Sequence, residues 1–322
     1  MTRPVFIDLR RDLLSALIDY AGLFPPASLD LTSAVAEYRA AREGANAWML
    51  GTFVVPASRL EPLAALLVAT MRSGEEPWEV SVILDGNAAS AAAAAAAFEG
   101  HMSPAVRIVG AEVRLPDAFV DGRTSAQAAE MARSTAAAAG SISATVVPYL
   151  EIPVVGVAPA ALTPAVGAID ILRSMLHRPL AAKLRCGGLT PEAFPTSEVV
   201  ATFLVACRDR KVPFKTTAGL HHPIRHHDDE LDVMRHGFLN LLTAAALAAE
   251  GADLQTVQAV VAEQDPAALK VGAAGLGWKD HRVGAIGIKA TRAEMFASYG
   301  SCSFDEPVEY LEALGILRSA TP

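Results

Sequence analysis

The chain has 322 residues, of which 52% are hydrophobic and 19% charged; it can bury one large core or two small ones, and disorder is not expected. A formal net charge of −8 and a pI near 5.5 argue against nucleic acid as a main partner. No stretch is apolar for the length a bilayer demands, no secretory leader is read, and the three cysteines form no CxxC pair, so a reduced, cytoplasmic setting is expected.

In chain order, residues 8–20 carry Leu13, Leu14, Leu17 and Ile18 at helical spacing and are read as an amphipathic helix. Gly22 and Pro25-Pro26 in DYAGLFPPA then force a turn. Asp30 and Thr32 offer caps for a second helix with Val35 and Tyr38. AWMLGTFVVP (47–56) is the first strand, with a helix from Ser58 behind it. The alternation then recurs. WEVSVILD (78–85) precedes an alanine-rich helix, AVRIVGAEVRLP (105–116) a helix near 124–139, and ATVVPYLEIP (144–153) a helix near 164–176. PLAAKLRCGG and VPFKTTAGLHHP supply two more strands, and Pro195, Thr196 and Ser197 mark the start of the helix between them. These strands alternate with helices in units of roughly 25–35 residues, the length of a βαβ crossover.

After His222 the rhythm breaks. HHPIRHHDDELD reads as a polar loop, HGFLNLLTAAALAAEGA and DLQTVQAVVAEQD as helices, and EPVEYLEALGIL as a closing helix. Residues 269–288, rich in glycine, read as short strands or a loop; GAAGLG at 272–277 lacks the strand-then-helix context of a nucleotide loop. The expected architecture is a single α/β domain over 1–322, a (β/α)8-like TIM barrel whose last two strands are short or atypical. It would have an N-terminal helical extension (1–45) and a C-terminal helical elaboration (235–322). An open doubly wound parallel sheet is the alternative.

Successive strands end in charge: Asp85, then Glu112 and Arg114, Glu151, Lys183 and Arg185, and Lys215. At the C-terminal end of a barrel such a ring reads as catalytic, against the blander reading of rim ion pairs. Lys183 and Lys215 fall on adjacent parallel strands, so mutual repulsion and burial would lower one pKa and free an amine to attack or take a proton. The plain alternative is that each lysine pairs with Glu112 or Glu151. Arg185 and the Gly187-Gly188 backbone are candidates for gripping a carboxylate or phosphate. His221 and His222 follow the second lysine strand and are binding candidates. Cys302 in GSCSF is read as a structural thiol, because no base can be placed beside it.

KLRCGG and, one βα unit later, FKTTAG resemble the paired strand-end lysines of class I aldolases of the deoxyribose-phosphate aldolase type. The resemblance covers about residues 180–222 and departs at Leu184-Arg185-Cys186 and at His221-His222. It implies a TIM barrel in which Lys183 forms a Schiff base and Lys215 tunes it. The leading expectation is therefore a lyase or isomerase acting on a small anionic carbonyl compound, with Glu112 or Glu151 shuttling protons, no cofactor, and no nucleic-acid or membrane partner; a homo-oligomer is compatible. One alternative is a metal-dependent isomerase or hydrolase in which a divalent metal sits on Glu112, Glu151 and His221 or His222. Another is a non-catalytic binder of small anions.

Overall fold

Short aliphatic runs closed by glycine, proline or charge pair side by side and curl into a closed barrel of eight parallel strands. A computed structural model describes residues 9–120, 126–272 and 275–317. The barrel strands are β1 (Ile18–Tyr20), β2 (Leu50–Pro56), β3 (Trp78–Ile83), β4 (Val106–Arg114), β5 (Val147–Ile152), β6 (Ala181–Arg185) and β7 (Phe214–Thr217). Outside it lie a two-stranded hairpin, β8 (His226–Asp228) with β9 (Val233–Arg235), and an antiparallel sheet, β10 (Leu269–Gly272), β11 (Gly275–Trp278) and β12 (His281–Val283). The barrel closes through β13 (Phe296–Ser301), which lies between β7 and β1.

Six of the eight strands, β2 to β7, coincide with the expected series. The two that do not are the first and the last. Residues 8–20 are not one helix: α1 ends at Leu14, and Ile18–Tyr20 is the opening barrel strand, paired on both sides. What was read as an N-terminal helical extension therefore contributes a stave of the barrel, as does the C-terminal elaboration through β13. The open sheet is overturned by closure, since β1 pairs with both β2 and β13. The polar loop after His222 is instead the β8–β9 hairpin. The 124–139 helix runs Ala126–Gly140, and residues 124–125 lie outside the described residues, as do two residues of GAAGLG.

The helices are α1 (Leu9–Leu14), α2 (Leu31–Glu43), α3 (Leu60–Thr70), α4 (Ala88–Met102), α5 (Ala126–Gly140), α6 (Leu162–Leu176), α7 (Ser197–Arg210), α8 (Phe238–Ala249), α9 (Leu254–Ala262), α10 (Ala285–Glu294) and α11 (Asp305–Ala313). Their starts follow local chemistry. Asp30 accepts from the Ser33 amide at 3.0 Å, and Thr196 from the Val199 amide at 3.2 Å. Apolar residues of the strands face the helices. Tyr20, Tyr38, Phe53 and Trp78 form one aromatic cluster there, and Phe203, Phe214 and Phe296 another. Helix α8 is apolar all round and buried all round; its Asn240 is satisfied by carbonyls of Val260 and Glu263 and by the Arg225 amide. The buried polar side chains Asp19, Ser81, Glu112, Glu151, Lys183, Lys215 and Ser298 come from barrel strands, and Val54 and Ile83 line the same interior as Glu112 and the two lysines.

Candidate active site

Register brings the charged positions together. Glu151 pairs with Lys183, and Lys183 with Lys215, along β5, β6 and β7. Residues two apart face the same side of a strand, so these side chains share the barrel interior with Glu112 of β4 and Asp19 of β1. Glu112 stands between the two lysines. Its Oε2 lies 2.7 Å from Lys183 Nζ and its Oε1 2.7 Å from Lys215 Nζ. Lys183 also reaches Glu151 Oε2 at 2.8 Å, and Lys215 reaches Asp19 Oδ2 at 2.5 Å. Ser81 donates to Glu112 at 2.7 Å, and Ser298 and the Thr52 amide donate to Asp19 at 2.6 and 2.9 Å. The Tyr149 ring lies 5.2 Å from Lys215 Nζ. All five charged groups are buried.

The expectation that the lysines depress one another is corrected here. Burial does work against the ammonium form of Lys183, but Glu112 and Glu151 outweigh it and raise the pKa above the ordinary lysine value. For Lys215 burial is likewise outweighed, by Asp19 and Glu112, and the pKa rises. Burial opposes ionisation of Glu112, yet the two ammonium groups hold its carboxyl well below the usual carboxylate range. The lysines do not meet as bare charges, because a carboxylate from across the barrel is shared between them.

Above this network is a cavity of about 90 Å³ at the C-terminal end of the strands, lined among others by Glu112, Lys183, Lys215, Arg185, His221 and Cys302. A groove of about 210 Å³ shares Arg185, Gly219 and His221 with it. Larger clefts of about 410 and 740 Å³ lie at the β10–β12 sheet and at the opposite end of the barrel, away from the C-terminal face where barrel enzymes place their chemistry.

The remaining candidates divide. Arg185 stands at the mouth between cavity and groove; its Nε donates to the Gly187 carbonyl at 2.9 Å, and among the described residues it has no carboxylate partner. Gly187 is explained by packing: a Cβ there would lie 2.7 Å from the Phe194 ring and 3.1 Å from Gly219 Cα. Gly188 lines the neighbouring groove. Asp85 is exposed and accepts from the Ser58 amide, and Arg114 is exposed and paired with Asp117, so both belong to the rim. His221 lines the cavity, whereas the His222 ring lies tilted against those of Tyr310 and His226, with centroids 3.8 and 4.0 Å away. Among the described residues no three His, Cys, Asp or Glu side chains converge as metal ligands, and the carboxylates such a centre needs here are already bound to lysines. Sequence reasoning missed Asp19, Ser81, Tyr149 and Ser298. Asp19 carried a signal, since IDYAG sets an acid after an apolar residue and ahead of a glycine, as ILDG at 83–86 does.

Among the described residues no helix is long and apolar enough to cross a membrane. No protein-family model matches the chain, and no curated protein does. A solved structure described as "QR15, an Aldolase" is similar to it, with a TM-score of 0.42 and 10% identity, covering 67% of this chain and 84% of that one. A likeness that distant carries no argument, and the barrel stands on its own strand register.

Proposed function

We propose that the protein is a class I aldolase-like lyase or isomerase, with no cofactor, in which Lys183 forms a Schiff base with a small anionic carbonyl compound. The observation that carries this reading is the sharing of Glu112 between two lysines on the floor of a cavity with Arg185 at its mouth. Lys183 is favoured over Lys215 because Lys215 is held by Asp19, Glu112 and the Tyr149 face, a setting suited to a fixed charge.

The first step moves a proton from the Lys183 ammonium to Glu151, 2.8 Å away. The freed amine adds to the substrate carbonyl, its proton passing to the carbonyl oxygen; Glu151 returns its own proton to that hydroxyl, which leaves as water, and the iminium takes the place of the ammonium between the Glu112 and Glu151 carboxylates. A pocket that favours a cation at this point stabilises the iminium relative to the neutral amine that precedes it. A carboxylate then removes the α-proton or, for cleavage, the proton of the β-hydroxyl as the carbon–carbon bond breaks, leaving an enamine. Arg185 holds the substrate's carboxylate or phosphate by its planar fork. The small cavity suits the reacting carbons, with the adjoining groove taking the remainder.

The test is wash-in of deuterium at the α-carbon of small aldehydes and 2-oxo acids in D2O. Exchange that needs Lys183 and ignores chelators is expected. Exchange lost on chelation favours the metal-dependent alternative, and ligand binding without exchange favours a protein that only holds anions.

A further inference from the structure

Two neighbouring strand ends place a thiol beside an imidazole. β7 and β13 are paired, with Thr217 opposite Gly300, and His221 and Cys302 stand just beyond them. Cys302 Sγ lies 3.5 Å from His221 Nε2, and His221 Nδ1 lies 2.6 Å from a carboxylate oxygen of Glu306 in the first turn of α11. A glutamate accepting from Nδ1–H leaves the Nε2 lone pair facing the thiol. Nucleophile, base and orienting group in this order are the signature of an activated nucleophile, and both Cys302 and His221 line the cavity that holds Lys183. This is the base that the sequence could not place.

We propose that Cys302 is a second nucleophile of the cavity, activated by His221 and oriented through Glu306, and that it adds reversibly to small aldehydes. The S–C bond forms as the carbonyl π pair moves to oxygen. The thiol proton passes through His221 Nε2 to that oxygen, giving a thiohemiacetal with no change in oxidation state. Burial, with the Glu306 and Glu37 carboxylates nearby, keeps the group as a thiol at rest, so a base is needed at the moment of attack. The step does not depend on Lys183.

Cys186 and Cys207, both fully buried, are internal controls. Native protein is treated with iodoacetamide at neutral pH and the modified cysteines are mapped by peptide mass. Cys302 should be alkylated while Cys186 and Cys207 are spared, at a rate at least about tenfold lower in His221→Asn and also lower in Glu306→Gln, whose site is half exposed. With 13C-labelled propionaldehyde, Lys183→Ala protein should show a thiohemiacetal carbon that is absent once Cys302→Ser is added. Cys302 as inert as the two controls, alkylation indifferent to Glu306→Gln, or a thiohemiacetal signal surviving Cys302→Ser would overturn the proposal.

Discussion

Glu112→Gln tests the core of the site most sharply, because one carboxylate holds both ammonium groups. The change keeps size and shape but removes the charge, and it turns a donor toward one of two donors. Each lysine retains one acid, Glu151 or Asp19, so neither is left bare. Removing one member of a buried ion network costs about 3–5 kcal/mol, and the surviving contacts put this case near the lower end. At about 2.1 cal/mol/K of unfolding entropy per residue, a loss of about 3 kcal/mol corresponds to roughly 4–5 °C in melting temperature for a chain of 322 residues. Circular dichroism followed through heating and through urea reads both quantities. Glu112→Asp should recover only part, since the shorter side chain cannot keep two contacts at 2.7 Å. A melting temperature within a degree or so of wild type for Glu112→Gln would refute the reasoning.

Two further outcomes are expected. Arg185→Ala should weaken binding of a small 2-oxo acid at least about tenfold while leaving a neutral aldehyde unaffected, as charge-assisted hydrogen bonds contribute about 1.5–3 kcal/mol; equal effects on both ligands in titration calorimetry would count against an anion clamp at the mouth. His236 is buried, donating from Nε2 to the Pro195 carbonyl at 2.7 Å and facing Arg225 with Nδ1 at 2.8 Å; burial first and Arg225 second lower its pKa from the ordinary 6.5 to about 4, against the Pro195 carbonyl. The unfolded chain thus takes up this proton first as pH falls, so the contribution is intact above about 6.5 and is lost between there and about 4, on the order of 3 kcal/mol in all. Urea midpoints across this window should fall less steeply in His236→Asn, and parallel slopes would remove His236 as the cause.

Six strands were legible because each is a short apolar run between turn residues, and the charges interrupting them stood out for that reason. β1 was not, since three residues of strand directly follow a helical pattern and Leu17 and Ile18 fit the helical stripe as well as the strand. β13, FASYGS, contains no Val, Ile or Thr, and its Phe296 and Tyr299 are interrupted by Ala, Ser and Gly, so it lacks the aliphatic run that marked the other strands. Lys183, Lys215, Glu112 and Glu151 were found by alternation alone. Their electrostatics were not, because pairing across a barrel depends on which strand faces which, and Asp19 belongs to the strand that was hidden. Asp85 lies just past the end of β3 and Arg114 at the end of β4, where solvent and nearby loops claim them. The thiol–imidazole contact joins residues 81 positions apart and has no local signature.

The central claim is that Lys183 becomes covalently bound to substrate. Borohydride reduction in the presence of a small aldehyde or 2-oxo acid, followed by peptide mass mapping, measures this directly. The account predicts adduct on Lys183, absent in Lys183→Ala, slower in Lys215→Ala, and faster as pH rises, because Glu112 and Glu151 keep the amine protonated at neutral pH. Adduct confined to Lys215, or spread over exposed lysines with Lys183 unmodified, would contradict it.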